Sequence, residues 1–173
     1  MSIISQLTKA LPKNSVIFGE ENTRPFECDG LSVYKQKPLA VALPSNVDQI
    51  KKVLEICKKN NTPVVTRGAG TGLSGGALPL KDSVVLGLSR LTRVLSIDPE
   101  TQTAIVEPGV RNIAISEAVE KYGLYYAPDP SSQIACTIGG NVDEKLSGCA
   151  CLKYALTALI IEVGKLLTIE GEE

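Results

Sequence analysis

Apolar residues at the start of the chain recur with the spacing of one helical face. Within residues 2–11 the apolar positions are Ile3, Ile4, Leu7 and Leu11. This spacing predicts a short amphipathic helix, and Pro12 ends it. The stretch 19–38 is polar and has no period. We expect it to wrap the surface without regular structure.

A strand–helix–strand unit follows. Leu39 to Leu43 is an unbroken apolar run with the length of a buried strand. Ser45, with Asp48 three residues later, is the predicted helix cap. The stripe of the helix consists of Val47, Ile50, Val53, Leu54 and Cys57. Pro63 to Thr66 is the next predicted strand, and a unit of this kind requires parallel strands.

The remaining pattern alternates strands, turns and one further helix. Ser83 to Leu88 predicts a third buried strand. A hairpin is predicted around the turn 98–101, and a helix ends at Gly123. The predicted elements are hairpin strands at 94–98 and 103–107, a helix at 112–122, and a last hairpin with strands at 156–163 and 166–169.

Charge and composition exclude several classes of partner. The 18 basic and 19 acidic side chains give a net charge of −1, and aromatic residues make up 4% of the chain. Neither a cationic surface nor a base-stacking platform is expected, so no nucleic acid partner is predicted. No apolar run is long enough to predict a transmembrane segment. Five irregularly spaced cysteines and no secretory leader predict a cytoplasmic protein.

Histidine is absent from the chain. This removes the commonest general base, the commonest metal ligand and one attachment point for a covalent flavin. The pair Cys149 and Cys151 has no further ligand residues nearby, so no metal site is predicted. A complete reaction in this chain would have to use carboxylates, lysines, tyrosines or a cofactor.

A glycine-rich loop is the most informative feature. Five of the nine residues from Gly68 to Gly76 are glycine, and Gly70 to Gly75 fits G-x-G-x-x-G. A Rossmann fingerprint requires a helix directly after this motif. Pro79 and the β-branched residues that follow predict a strand instead, so the Rossmann interpretation fails.

Two interpretations of this loop remain. It could be a mobile surface loop, or its backbone N–H groups could converge on an anion. Hydroxyl groups from Thr66, Thr71 and Ser74 and the charge of Arg67 suit a diphosphate, which favours the second interpretation. At Gly72 we expect a backbone with positive φ, which would exclude a bulky residue.

Three stretches of the sequence resemble a known flavoprotein family. They read RPFECDGLSVYKQKPLAVALPSN, PVVTRGAGTGLSGGALP and EPGVRNIAISEAVEKYGLYYAPDPSSQIACTIGGNV. Their order, spacing and residue identities resemble those of the D subunit of glycolate oxidase. More widely they resemble flavoproteins of the vanillyl-alcohol oxidase type, which include D-lactate and D-2-hydroxyglutarate dehydrogenases. The match runs from the N-terminus to Val142.

The resemblance implies a fold, a cofactor and binding residues. The implied fold is α+β with two lobes: a small parallel βαβ lobe over about residues 1–90, then an antiparallel lobe with helices over about 91–173. The implied cofactor is FAD, held non-covalently. The implied pyrophosphate site is Arg67, Gly68, Gly70, Thr71, Gly72, Leu73, Ser74, Gly75 and Gly76. The implied flavin-lining residues are Pro128, Asp129, Ser132, Gly139, Gly140 and Asn141.

The sequence departs from the family pattern after Val142. Small residues of the family are replaced by Lys145 and Leu146, and the substrate domain with its histidines is not present. No catalytic residue is therefore carried over. Three hypotheses remain: an FAD-binding component of a 2-hydroxy acid oxidoreductase, working with other subunits of a glycolate oxidase-type complex; a truncated, non-catalytic remnant; or a binding module for another nucleotide.

Overall fold

The structure is a computed structural model that describes residues 1–144 and 160–172. It divides into two compact units. The first unit contains Met1–Arg90 and Lys165–Glu173, and the second contains Leu91–Gly164. Each unit has its own sheet.

A four-stranded mixed sheet forms the first unit. Its strands are β1 (Val16–Phe18), β2 (Ala40–Ala42), β3 (Val64–Arg67) and β4 (Val84–Gly87), in the order β1-β2-β4-β3. β4 runs parallel to both β2 and β3, whereas β1 is antiparallel to β2. The helices of this unit are α1 (Ile3–Ala10), α2 (Glu20–Thr23) and α3 (Val47–Lys59), and a 3-10 turn spans Arg24–Phe26.

The core of the first unit is built from the predicted apolar runs. Every residue of β2 and β4 is buried, as expected for central strands covered on both faces. α3 buries Ile50, Val53, Leu54 and Cys57. Val47 is 43% exposed, so the predicted stripe is wrong at its first position. Burial raises the pKa of the Cys57 thiol to about 11.

Local polar contacts correct two of the predictions. The cap of α3 is Asn46, whose side chain accepts a hydrogen bond from the Gln49 backbone at 2.9 Å, and not Ser45. Ser45 instead donates its N–H to the Gln49 side chain at 2.8 Å. The stretch 19–38 contains α2 and the 3-10 turn, so the prediction of wholly irregular chain is wrong. These elements are too short to show a period.

The prediction that the two strands of the strand–helix–strand unit run parallel is confirmed, but these strands are not neighbours in the sheet. β4 lies between β2 and β3 and pairs with both. The chain therefore leaves β3, passes through the glycine-rich loop and returns as an adjacent parallel strand. That loop replaces the helix that usually makes such a connection.

The second unit contains the predicted hairpin and helix. β5 (Val94–Asp98) pairs with β6 (Thr103–Val106), and α4 (Asn112–Val119) continues as a 3-10 turn to Gly123, whose φ is 71°. A short helix, α5, spans Ile138–Asp143. The buried centre of this unit consists of Val110, Ile115 and Ile138.

The predicted last hairpin is wrong in its second strand. Residues 166–169 contain no strand, and residues 156–159 lie outside the described part of the chain. The backbone turns instead at Thr168, whose N–H donates to the Glu172 carbonyl at 3.1 Å. Glu170 forms an ion pair with Lys58 of α3. A local turn and a side-chain contact are therefore found where the second predicted strand was expected.

The described residues contain free cysteines and no candidate metal site. Cys28, Cys57 and Cys136 are free thiols. Within residues 1–144 and 160–172, no group of histidine, cysteine or carboxylate side chains could hold a metal ion. No helix in the same ranges is long and apolar enough to cross a bilayer.

An ion pair that the sequence did not indicate closes the base of the hairpin. Glu107 accepts hydrogen bonds from the Arg93 backbone N–H at 2.8 Å and from Arg93 Nη2 at 2.7 Å. The Glu107 N–H donates back to the Arg93 carbonyl at 2.9 Å. Hydrogen bonding to Arg93 holds the pKa of Glu107 below its ordinary value of 4.5.

This ion pair predicts an acid-sensitive contribution to stability. A lowered carboxyl pKa stabilises the folded state above the ordinary pKa, and the contribution is lost as the pH falls through the folded pKa. We expect Glu107→Gln to lower the melting temperature at pH 7, with a difference that shrinks toward pH 3. Glu100→Gln, at an exposed turn residue, is the control. A Glu107→Gln deficit that is independent of pH would contradict this assignment.

Candidate functional site

The glycine-rich loop joins β3 directly to β4. No helix follows the motif, so the prediction that this is a strand-to-strand loop is confirmed. The loop leaves the sheet after Arg67 and is anchored at its far end by the buried residues Ala77 and Pro79. Between these points its tip is open to solvent, and Leu73 is 70% exposed.

The backbone of this loop offers unused hydrogen-bond donors. The hydrogen bonds within the described residues include none donated by a backbone N–H between Gly68 and Ala77. The first backbone donor after this run is Leu78, whose N–H donates a hydrogen bond to the Gly75 carbonyl at 3.1 Å. A run of free N–H groups with few side chains above them suits an anion with several oxygens. A diphosphate fits this donor set.

Two glycines in the loop have a backbone that other residues rarely adopt. The φ angle is 71° at Gly70 and 76° at Gly75. Gly72 is not among the positive-φ residues, so the expectation of positive φ at that position is wrong. An added Cβ at Gly75 would meet no atom of residues 1–144 and 160–172 within 4 Å. Glycine is therefore required at Gly75 by backbone conformation alone.

Arg67 lies beneath the loop. Its Nη1 donates to the Cys28 carbonyl at 2.7 Å, and its guanidinium lies 5.7 Å from the centre of the Phe26 ring. An added Cβ at Gly70 would overlap the guanidinium. Burial lowers the pKa of Arg67, and the neighbouring Cys28 and Asp29 act in the opposite direction. The charge is therefore fixed close to the loop backbone.

The other predicted loop residues lie along the same turn. Ser74 and Gly76 are exposed, and the remaining loop residues are partly exposed: Gly68, Gly70, Thr71, Gly72 and Gly75. Thr66 is exposed at the end of β3. The structure therefore brings the predicted pyrophosphate residues together on one accessible segment.

A contact from residues before β2 holds this segment in place. The Gly30 N–H donates to the Gly72 carbonyl at 2.9 Å. An added Cβ at Gly30 would lie 2.8 Å from that oxygen and 2.9 Å from the Thr71 carbonyl oxygen. Sequence reasoning did not single out Gly30. The Asp29-Gly30 pair, a common turn dipeptide, was the available signal.

The second loop belongs to the second unit and is organised around two buried asparagines. Asn141 donates from Nδ2 to Asn112 Oδ1 at 2.8 Å, and Asn112 donates from Nδ2 to the Pro128 carbonyl at 2.8 Å. Both asparagines are 1% exposed, and Pro128 is also buried. Sequence reasoning missed Asn112, which looked like an ordinary first residue of a helix.

The two neighbouring glycines of this loop have different surroundings. Gly139 donates its N–H to the Pro108 carbonyl at 2.9 Å, and an added Cβ would lie 2.8 Å from Pro108 Cβ. Among the described residues, an added Cβ at Gly140 would meet only Thr137 Oγ1, at 3.7 Å. Gly139 is therefore required for packing, whereas no other described residue lies against Gly140.

The remaining predicted residues of this loop are partly exposed. Asp129 and Ser132 are half-buried. The Ser132 carbonyl accepts hydrogen bonds from the N–H groups of Ala135 and Cys136, both at 2.8 Å. Thr137 Oγ1 is buried and has no hydrogen-bond partner within the described residues. The loop therefore combines a rigid base with several accessible polar groups.

Comparison with solved structures identifies the class of fold. The grass pollen allergen Phl p 4, which has glucose dehydrogenase activity, superposes with a TM-score of 0.85 at 19% identity, over 99% of this chain and 37% of that one. The α+β fold is that of the vanillyl-alcohol oxidase-type flavoproteins. Residues 38–173 match the FAD binding domain family, so the chain belongs to that family, and FAD is its cofactor.

Curated relatives show which flavoproteins this chain is similar to in sequence. The glycolate oxidase subunit GlcD of Escherichia coli (strain K12) is 50% identical over 171 residues, which is 99% of this chain and 34% of the relative. D-lactate dehydrogenase of Anaerostipes hadrus is 30% identical over 98% of this chain and 36% of its own length. The chain spans about a third of these relatives. The similarity also continues past Val142, contrary to the sequence-based expectation.

The buried asparagine pair predicts a measurable loss of stability. Asn141→Ala would leave Asn112 Oδ1 without its partner, at a cost of about 1–3 kcal/mol in the free energy of unfolding. Urea unfolding followed by circular dichroism measures this loss. Ser131→Ala, at an exposed position in the same loop, should change the free energy by less than about 0.5 kcal/mol. Equal stability of Asn141→Ala and Ser131→Ala would refute the network.

Proposed function

We propose that this chain is the FAD-binding component of a flavin-dependent 2-hydroxy acid dehydrogenase or oxidase of the glycolate or D-lactate type. The observation that carries the proposal is the run of N–H donors from Gly68 to Ala77 that no described residue uses. FAD carries a diphosphate, and several convergent N–H groups can bind such an anion. The names of the relatives, glycolate oxidase subunit and D-lactate dehydrogenase, support the substrate class.

In this proposal the first loop binds the FAD pyrophosphate. The binding residues are Arg67, Gly68, Gly70, Thr71, Gly72, Leu73, Ser74, Gly75 and Gly76. The backbone donates most of the hydrogen bonds, and the hydroxyls of Thr71 and Ser74 add further donors. Arg67 contributes positive charge from beneath the loop, since its guanidinium packs against Gly70. Charge and donors at one place favour a doubly ionised group.

The second loop is proposed to line the flavin. Its residues are Pro128, Asp129, Ser132, Gly139, Gly140 and Asn141. The described residues leave space beside Gly140 for close approach of a flat ring, while Gly139 and Asn141 hold the backbone in position. When bound, FAD supplies a two-electron acceptor, which oxidation of a hydroxy acid to an oxo acid requires.

We also propose a cellular compartment and partner subunits for this protein. We place it in the cytoplasm, because the free thiols among the described cysteines suit a reducing compartment. We also propose that it works with other subunits of a glycolate oxidase-type complex, since the relative at 50% identity is named as a subunit.

A non-catalytic remnant of this domain is the second candidate. It is favoured by Lys145 and Leu146, which stand where the family pattern has small residues. Their placement lies outside the described residues. The two candidates share the FAD-binding loop and differ in whether bound flavin is reduced by substrate.

FAD is expected to bind without a covalent link. The chain has no histidine, so a histidyl flavin cannot form. Acid precipitation of the FAD-loaded protein should leave the yellow colour in the supernatant, measured by absorbance near the usual flavin maximum. Colour retained in the washed pellet would show a covalent bond. Free FAD carried through the same precipitation is the control.

Substrate-dependent flavin reduction separates the two candidates. The protein that carries this chain, isolated with FAD from its source cells, should be bleached anaerobically by glycolate or D-lactate, and more slowly by L-lactate. Its dye-reduction rate should reach on the order of 1 per second, the low end of ordinary enzymes. If FAD is bound but no 2-hydroxy acid bleaches it, the oxidoreductase proposal fails and the remnant is supported.

A further inference from the structure

Residues 26–31, which we call the anchor segment, contact the glycine-rich loop from outside the sheet. The Gly30 N–H donates to the Gly72 carbonyl at 2.9 Å. The backbone of Gly30 is not in the positive-φ region, so its conformation does not require glycine. The requirement comes from space, because an added Cβ would lie within 3.0 Å of three groups: the carbonyl oxygens of Thr71 and Gly72 and Cδ2 of Leu73.

This contact determines where two N–H groups of the loop point. In a trans peptide, the carbonyl of one residue and the N–H of the next point in opposite directions. The carbonyls of Thr71 and Gly72 approach Gly30. The N–H groups of Gly72 and Leu73 therefore point away from the anchor segment. Neither N–H is used as a donor within the described residues.

A second link joins the anchor segment to the start of the loop. Arg67 donates from Nη1 to the Cys28 carbonyl at 2.7 Å and stacks near the Phe26 ring. Because the guanidinium packs against Gly70 from beneath the loop, it also supports the loop backbone there. The acceptor of each hydrogen bond is a backbone carbonyl. The two contacts therefore fix the path of the loop backbone and not only the position of one side chain.

Asp29 holds the anchor segment in its own turn. It is 6% exposed, and Oδ1 accepts a hydrogen bond from the Leu31 N–H at 2.8 Å. Oδ2 is buried and has no hydrogen-bond partner within the described residues. Its negative charge is close enough to Arg67 to favour the charged guanidinium. This carboxylate therefore stabilises both the turn and the cation that the turn binds.

We propose that the anchor segment is the positioning element of the FAD pyrophosphate loop, and that Gly30 is its critical residue. By holding the carbonyls of Thr71 and Gly72 on one side, it presents the N–H groups of Gly72 and Leu73 to the diphosphate on the other. A donor array fixed before binding loses less conformational freedom when the anion arrives. This proposal rests on the proposed role of the loop in FAD binding.

The test compares two glycine-to-alanine variants. Gly30→Ala adds a methyl group where backbone oxygens lie at 2.8 and 2.9 Å, whereas Gly164→Ala adds one where no atom of the described residues lies within 4 Å. FAD affinity is measured by quenching of flavin fluorescence, and apo-protein melting is measured on the same samples. We expect Gly30→Ala to weaken FAD binding roughly tenfold or more, the effect of losing one or two hydrogen bonds to a charged group. Gly164→Ala should match the unsubstituted protein.

A spectroscopic readout separates positioning from a general loss of stability. The ³¹P resonances of bound FAD report the hydrogen bonds made to the diphosphate. They should shift in Gly30→Ala at saturating FAD and remain unchanged in Gly164→Ala. A destabilised protein with an intact loop would show unchanged resonances, which would overturn the proposal.

A second substitution keeps the proposal testable if Gly30→Ala does not fold. Asp29→Glu keeps the negative charge beside Arg67, but its longer side chain does not fit the contact with the Leu31 N–H that holds the turn. We expect FAD affinity to fall severalfold with the fold preserved. Unchanged affinity in Asp29→Glu or in folded Gly30→Ala overturns the positioning role, while leaving the loop as the FAD site. Failure of the unsubstituted protein to bind FAD overturns the proposed function itself.

Discussion

Adjacent parallel strands cannot be joined by a tight turn, because the chain must return to the end of the sheet from which it started. In this protein β3 and β4 are such neighbours, and the return path contains no helix. A helix would have used its own N–H groups in its hydrogen-bond ladder. In the part of the chain that the structure describes, the glycine-rich connection leaves its N–H groups unused from Gly68 to Ala77. The binding capacity of the loop is thus a consequence of the sheet topology.

Elements that depend on local sequence pattern were predictable. The buried strands β2 and β4, the helix α3 and the β5–β6 hairpin follow from apolar runs, helical spacing and turn residues. The glycine-rich loop was also predictable, since the proline and β-branched residues after it exclude a helix. Each of these signals lies within a few residues of the structure that it specifies.

Features that depend on distant contacts were not predictable. β1 has three residues, too few for a period, and it forms by pairing with β2. The position of β4 between β2 and β3 depends on pairing across the sheet. The missed contacts of Gly30 with Gly72 and of Asn112 with Asn141 join residues that are far apart in the chain. The last predicted strand, 166–169, is wrong because the chain turns at Thr168 instead of remaining extended.

Arg67 shows how the fold changes the meaning of a residue. In the sequence it stands at the edge of the loop as a cation available for a phosphate. In the structure, its guanidinium is turned under Gly70 and held by the Cys28 carbonyl. A cation in that place raises the local positive potential without occupying the space above the loop.

Glycine residues serve two different purposes in this protein. Gly75 provides a backbone with positive φ, whereas Gly139 allows close packing against Pro108. A glycine-rich motif alone does not distinguish these purposes, because the difference lies in what a side chain at that position would meet.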